Sequence, residues 1–459
     1  MKADTLRTWL NYLRTTDRLA VIDRRVSLEY ELAAVAKHFD GKKAALFTNV
    51  EDYEIPVVAG AASTRQMFAE ACETTDYGLV QKFAEAAENP RPCLPVDRSA
   101  APVKENVILK DIDLMETLPI PVHHEEDAGN YITAGLFIVR DPETRKQNVS
   151  IHRLQVAGKD KFTALILARH THHLHRQAEE RGEPLECAIV VGADPVTMLA
   201  SQASTPFGVD EMEIASALRE KPLPVVRCET VDIDVPAHAE IVIEARILPH
   251  VREPEGPFGE FPKYYGPRSD KEVVQVSAIT HRNNPIFHTI IPAGYEHLLL
   301  GSIPREASLI DMVRQTVPTV RAVHMTPGGT CRYHAVISIK KTAEGQGKNA
   351  IFAAFANTFD IKHVFVVDED VNIFDPEEVE WALATRFQAE RDLIVVHGAE
   401  GSKLDPSADK GVSSKMGFDC TIPLDSEPFK YRRIKIPGYE EIELEDYLSS
   451  NQTAFDFGE

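Results

Sequence analysis

The run Ile241-Val242-Ile243-Glu244-Ala245-Arg246-Ile247-Leu248 decides the fold class. Ile241, Ile243, Ala245 and Ile247 alternate with Val242, Glu244, Arg246 and Leu248, the two-residue period of a strand with one buried face. Outward from it the same period recurs. Residues 133–140 read as a strand, Asp141-Pro142-Glu143-Thr144 as a turn, and 148–157 as a second strand. Gly158-Lys159-Asp160-Lys161 turns the chain into a third strand at 162–168, and 273–281 and 286–291 flank Arg282-Asn283-Asn284-Pro285, a hairpin signal. Antiparallel strands at this density predict a meander or barrel. Helical patterns near 170–182 and 211–220 interrupt it, around a buried strand at 188–191.

The flanks read differently. Leu6, Leu10 and Leu13 make one helical stripe, Leu28, Leu32, Val35 and Phe39 another, and 44–47 a short buried strand. Pro90, Pro92, Pro95 and Pro102 then break any regular element. From 302 the pattern predicts helix 306–316, strand 332–340, helix 347–358, strand 363–367 and helix 376–386. The expectation is an α+β protein: an N-terminal α/β domain over 1–104, an antiparallel barrel over 105–301, and a C-terminal α/β domain over 302–459. The last thirty residues are acidic and expected on the surface.

Composition excludes several classes. The 459 residues carry a formal charge of −21, which opposes a nucleic-acid or anionic-membrane partner. No run approaches the ~18 apolar residues of a membrane span. Residues 1–7 open an amphipathic helix and not a signal peptide. Six scattered cysteines without a CxxC pair point to a reducing cytosol and not to a zinc ribbon or disulfide framework. A cytoplasmic protein is expected.

Chemistry concentrates at Glu255-Gly256-Pro257-Phe258-Gly259-Glu260. Two carboxylates lie five residues apart on a stretch that Gly256, Pro257 and Gly259 keep from being helical. A carboxylate beside an arginine stays ionised, whereas one desolvated near a like charge can carry a proton. Arg153, placed by alternation on the face of Val149 and Ile151, is a candidate partner; alone, it reads as a surface ion pair.

The run Arg169-His170-Thr171-His172-His173-Leu174-His175 suggests zinc, yet no acid or cysteine stands at HExxH or CxxC spacing. His172, His173 and His175 read as exposed imidazoles at a helix start. His170 falls where a strand hands over to a helix, a junction suited to phosphate or metal. Glu211 alone reads as a first-turn acid favoured by the helix dipole. There is no P-loop at 345–349, no GxGxxG after a strand and no GxSxG elbow. Residues 368–372 lack the glycine and distal Glu of an EF-hand and read as a strand end.

Taken together, N-V-S-I-H-R at 148–153, G-A-D-P at 192–195, P-A-H-A-E-I-V-I-E at 236–244 and E-G-P-F-G-E at 255–260 resemble the UbiD family of decarboxylases. V-D-E-D-V-N at 367–372, W-A-L-A-T-R at 381–386 and S-K-M-G-F-D at 414–419 extend the resemblance over nearly the whole chain. It implies a central antiparallel split β-barrel that binds prenylated FMN, between α/β domains of which the C-terminal one supports a homodimer or larger assembly.

By the same resemblance Asn148, His170 and Glu211 hold a divalent metal, usually manganese, against the flavin phosphate, with potassium nearby. Arg169 stands where the family usually shows another residue. Ser150, Ile151, His152, Arg153 and Arg169 border the cofactor, which a flavin prenyltransferase supplies. Glu255, Arg153 and Glu260 become the catalytic triad. The substrate carbon forms a covalent adduct with the prenylated flavin, CO2 leaves, and Glu260 protonates the carbon.

His297 and Arg305 resemble the pair that holds the second carboxylate in the furan-2,5-dicarboxylate decarboxylase branch. The expected reaction is furan-2,5-dicarboxylate to furan-2-carboxylate. Pyrrole-2-carboxylate, hydroxybenzoate-type acids and a plain FMN split-barrel oxidoreductase are the alternatives.

Overall fold

The alternating run lies in the long strand Ile241–Glu255, near the middle of a nine-stranded sheet in a computed structural model that describes residues 2–427 and 429–448. From one end the order is Tyr131–Ile132, Leu154–Val156, Lys161–Ala164, Ser269–His281, Ile241–Glu255, Leu185–Val191, Leu136–Arg140 and Gln147–Ile151. Asn106–Ile108 pairs off this path with Ser269–His281. Every pair is antiparallel.

Connectivity forces this sheet to curl. Gln147–Ile151 and Leu154–Val156 stand six strand steps apart in the order, yet only His152 and Arg153 join them. Six spacings of about 4.8 Å would separate them by about 29 Å in a flat sheet. Three peptide units reach about 11 Å at most. The two ends must therefore meet, giving an open half-barrel with its seam at His152–Arg153. The single strand expected over 148–157 is two strands, and Arg153 does not share a strand face with Val149 and Ile151.

Alternation sorts the two faces as expected. Phe137, Val139, Ile189, Ile241, Ile243, Ala245 and Ile247 pack with Leu174 and Ala178 of the helix His170–Glu180. Leu136, Ile138, Ala188, Val190 and Val242 join the other core, which includes Ile214 and Ile303 from the helices Glu211–Leu218 and Tyr295–Thr316. His175 is 1% exposed beside Glu179, so its imidazole is a core group and not the surface one expected.

Sheets on either side complete the architecture. Leu19–Ile22, Ala44–Phe47, Val57–Ala59 and Phe287–Thr289 form a four-stranded sheet. The last of these was expected to fold back on 273–281 as a hairpin. Pro285 brings no N–H to such a ladder, and Phe287–Thr289 instead pairs in parallel with Val57–Ala59. The helix expected at 306–316 begins at Tyr295 and runs unbroken through 301 and 302, where the last domain was taken to start, with Pro304 inside it.

The C-terminal sheet orders Val320–Met325, His334–Ile339, His363–Asp368, Val412–Cys420 and Leu393–Glu400. Arg386, 2% exposed, donates to Asp370 at 2.6 and 2.9 Å and to Asp368 at 3.1 Å. The acidic turn at 368–372 is thus tied to an internal guanidinium. Residues Met1–Thr421 form one compact unit and Ile422–Glu459 a second, of which the described residues 429–439 and 441–448 are almost all exposed. Among the described residues no helix is long and apolar enough to cross a membrane.

Candidate active site

Arg153 sits at the seam, and its guanidinium links the two acids of the 255–260 loop. Its Nε and Nη2 donate to Glu255 Oε1 and Oε2, both at 2.8 Å. This is the two-bond geometry a planar guanidinium offers a carboxylate. Nη1 donates to Glu260 Oε1. Phe258 lies beneath, its ring centroid 4.9 Å from the guanidinium carbon.

Local chain geometry aims both acids. Glu255 ends the long strand, and Gly256 follows at φ +81, where a Cβ would also press on Pro267 O at 3.2 Å. Phe258–Gly259 then pairs with Tyr265–Gly266, so Glu260 is the first residue of a tight hairpin tip. Asp127 braces that hairpin by accepting from Gly259 N at 2.8 Å, and Pro257 O accepts from Ala128 N at 2.9 Å.

The two carboxylates are unequal. Glu255 is fully buried and receives Tyr131 Oη at 3.1 Å besides the two arginine bonds. Glu260 has one arginine contact. Burial pushes its proton affinity up and the charge of Glu255 adds to this, while Arg153 pulls the other way without prevailing. Arg153 is held charged: burial alone would lower its pKa, but the Glu255 hydrogen bonds and both carboxylates outweigh it. A dry acid next to a fixed ion pair suits proton delivery to carbon.

A second cluster forms where the edge strand Gln147–Ile151 meets two helix starts. Asn148 Oδ1 lies 3.0 Å from His170 Nδ1, and Asn148 Nδ2 donates to Thr171 Oγ1 at 3.2 Å. Glu211 Oε2 accepts the strand's Val149 N–H at 2.6 Å, and Oε1 accepts from Thr205 Oγ1 at 3.4 Å. Glu211 is 3% exposed and has no cation within ion-pair range among the described residues. Burial therefore pushes its pKa up to about 8, against the partial relief of the Val149 N–H.

That carboxylate lacks a cation, and amide oxygen, imidazole and carboxylate are donors a divalent metal accepts. The 3.0 Å between Asn148 and His170 is also the spacing of neighbouring ligands on an octahedral ion with bonds of about 2.1 Å. Burial, with Arg169 and His173, lowers the proton affinity of His170, which favours the neutral form a ligand needs. The expected three residues therefore fit a metal, although no group of three His, Cys, Asp or Glu side chains converges among the described residues. Arg169 is exposed at the helix N-cap and offers the first-turn amides no acceptor, leaving them for an anion.

Ser150 and His152 are locked together. His152 Nδ1 donates to Leu165 O at 3.1 Å, so Nε2 accepts from Ser150 Oγ at 3.0 Å. Burial lowers the imidazole pKa to about 4, keeping it neutral. Ile151 ends the strand one residue before, opposite Leu136 in the ladder.

The third cluster lies along the helix Tyr295–Thr316. His297, Gly301 and Arg305 recur at four-residue spacing, hence on one face. Arg332 packs there, because only Gly301 leaves room: a Cβ at that position would overlap its guanidinium. His297 Nδ1 accepts from Ala293 N at 3.1 Å, which leaves Nε2–H as a donor, and Arg305 Nη1 donates to Gly301 O at 2.6 Å. Burial and the two arginines push His297 down to about 3. Burial and Arg332 push Arg305 down to about 9, still charged at neutral pH.

Neither Arg305 nor Arg332 has a carboxylate within ion-pair range among the described residues. The attraction of Asp360 reaches both from further away. Two enclosed, unpaired guanidinium groups call for an anion. Arg332 also acts on the charge of Glu260, which ties this cluster to the triad. Nothing in the sequence pattern marks Arg332, a lone arginine after a Gly-Gly-Thr-Cys turn, or Tyr131 and Asp127.

Comparison with known proteins bears on the family and the fold. Family models for the 3-octaprenyl-4-hydroxybenzoate carboxy-lyase N-terminal, Rift-related and C-terminal domains match residues 10–87, 95–295 and 298–420. The UbiD-class enzyme HmfF from Pelotomaculum thermopropionicum, solved with FMN, is 56% identical over 97% of this chain and 100% of that one, at TM-score 0.96. An evolved dimeric form of that enzyme, solved with prFMN, is 53% identical over 97% and 100%, at TM-score 0.91. Anhydromevalonate phosphate decarboxylase of Methanothermobacter thermautotrophicus is 42% identical over 90% of this chain and 96% of its own. With three domain models in order and relatives matched end to end, the chain belongs to the UbiD family of carboxy-lyases.

Proposed function

We propose that the chain decarboxylates furan-2,5-dicarboxylate to furan-2-carboxylate, using prenylated FMN with manganese and potassium. The carrying observation is the unpaired pair Arg305 and Arg332 beside neutral His297, electrically linked to Glu260. A flat diacid would place one carboxylate there and the other near the triad. Pyrrole-2-carboxylate and simple hydroxybenzoates lack a second anion and would leave both guanidiniums uncompensated.

The residues then divide the work. Arg305 and Arg332 fix the retained carboxylate with charge-assisted bonds, and His297 adds a neutral N–H donor. This orients the ring and holds the departing group toward Arg153. Asn148, His170 and Glu211 would hold the metal, and the uncapped first turn at His170 would face the flavin phosphate. When bound, prenylated FMN supplies an electron sink for the charge left on carbon as CO2 departs. Glu260 holds the proton until then and delivers it to the vacated carbon, while Arg153 keeps Glu255 ionised. A homodimer or larger homo-oligomer, with cofactor from a flavin prenyltransferase, belongs to the same reading.

A second reading is favoured by the 42% identical relative, whose substrate bears a phosphate. Two guanidiniums serve a phosphate as well as a carboxylate. The deciding experiment gives both acids to protein co-expressed with a flavin prenyltransferase and to protein made without it. Turnover of the furan diacid alone, only with the prenyltransferase, supports the proposal; turnover of anhydromevalonate phosphate alone replaces it.

Two variants test the anion cluster. Arg305→Ala should lower kcat/KM for the diacid about 10–100-fold, the loss of one charge-assisted bond. Hydrogen exchange at the vacated carbon of furan-2-carboxylate, which keeps its carboxylate in the cluster, should fall in parallel; unchanged kinetics for both acids would remove the second-carboxylate role. Gly301→Ala should mimic this by displacing Arg332, while circular dichroism stays unchanged because alanine favours the helix.

A further inference from the structure

We propose that Tyr131 is a positioning residue that decides which carboxylate of the pair carries the proton: its hydroxyl donates to Glu255 while that group is ionised, and to Gln155 when it is not. The inference rests on the acid role read above for Glu260.

The geometry offers one proton to two acceptors. Tyr131 Oη stands 3.1 Å from Glu255 Oε1 and 3.0 Å from Gln155 Oε1. The Gln155 amide is fixed, since Oε1 accepts from Gly256 N at 3.0 Å and Nε2 donates to Ala128 O at 3.3 Å. Its oxygen therefore faces the phenol permanently. Tyr131 itself cannot swing away. It is fully buried, pairs directly with Gln155 across the ladder, and packs on Phe258 with ring centroids 4.4 Å apart.

Against an ionised Glu255 the phenol donates to the carboxylate, the stronger acceptor. Once Glu255 takes a proton, its O–H can donate to Tyr131 Oη, which then donates to Gln155 Oε1. Both states are fully hydrogen-bonded, so the hydroxyl is a two-way switch and not merely a brace. Burial, with the charge of Glu255, pushes the phenol pKa far up, so it stays a donor throughout.

The charged groups facing Glu255 are few. They are Arg153 from the seam and Glu260 from the hairpin, with Arg332 beyond Glu260. Asp127 and His124 brace the hairpin from the other side, and Arg268, exposed, borders Gly256. Arg153 serves both acids. Arg153 gives Glu255 two bonds and Glu260 one, and Tyr131, which serves only Glu255, deepens that inequality in favour of Glu260 as the proton carrier.

The test uses holoenzyme and its pH–rate profile. Tyr131→Phe keeps the ring packing and should move the acidic limb up by about one pH unit, one bond to a charged group being lost. The alkaline limb should stay. Site-specific 3-fluorotyrosine at position 131, a stronger donor, should move the acidic limb down. Infrared pH titration of the purified protein, with Glu255→Gln marking the band, should show the Glu255 carboxyl protonating correspondingly earlier in Tyr131→Phe as pH falls. An unmoved acidic limb and unmoved carboxyl band, with Glu260→Gln inactive, would overturn the role of Tyr131 alone. A uniform drop in rate with both limbs fixed would do the same. Normal turnover by Glu260→Gln would overturn the acid reading itself, whatever Tyr131 does.

Discussion

Glu260→Gln is expected to lose about two to four orders of magnitude in turnover, the range for a positioned general acid, while flavin binds at wild-type occupancy. The amide can still accept from Arg153 Nη1, which the carboxylate does now. What it lacks is a proton of suitable acidity. The residues proposed to hold the metal and the flavin phosphate lie on the strand Gln147–Ile151 and at the starts of two helices, and their hydrogen bonds go to one another and not to Glu260. Incorporation of solvent deuterium at the vacated carbon checks the step directly. Wild type should deuterate the product in D2O, and the variant should do neither that nor exchange the product's hydrogen. The raised proton affinity of Glu260 sets the pH window. The acid form is active, so rate is retained above the ordinary carboxylate range and is lost as pH rises through the raised value. Normal turnover and exchange in the variant would move the acid role elsewhere.

The sequence made the components legible but not their meeting point. Period-two alternation at 241–248 identified the barrel because one face is apolar on every strand, and Glu255 and Glu260 stood out because glycine and proline left them no helix. The seam at His152–Arg153 was not legible. A continuous apolar alternation over 148–157 looks identical whether the strand stays in one ladder or crosses to the other sheet edge. Pro304 concealed the first three turns of the helix carrying His297, since a proline usually marks a boundary. Tyr131, Gln155 and Arg332 belong to no motif. Their roles arise from cross-strand pairing and from the absence of a Cβ at Gly301, which are facts of three dimensions. The proposed metal cluster shows the intermediate case: Asn148, His170 and Glu211 carry little meaning singly, and the fold brings the first two within 3.0 Å.

Glu211→Gln should remove this group's pH dependence of stability from the metal-free protein. Burial holds the Glu211 carboxyl at about 8, against an ordinary 4.5. An acid whose folded value is raised destabilises the fold once it must ionise. Wild-type stability should therefore fall as pH climbs from about 4.5 to about 8, by up to about 4 kcal/mol from this group. Glutamine carries no charge at any pH, and its side-chain oxygen can still accept the Val149 N–H that Glu211 holds at 2.6 Å. The variant should lack this slope and exceed wild type at pH 8 by several degrees in Tm. Manganese should then invert the ranking. A cation replaces the proton on Glu211 and restores the wild-type fold, whereas the amide, a neutral donor, binds it far more weakly and turnover falls with it. Thermal denaturation of both proteins at pH 5, 7 and 8, with and without manganese, reads all of this in one series. A wild-type curve flat across that range without metal would mean that Glu211 already has a cation of its own, and the metal assignment would fall.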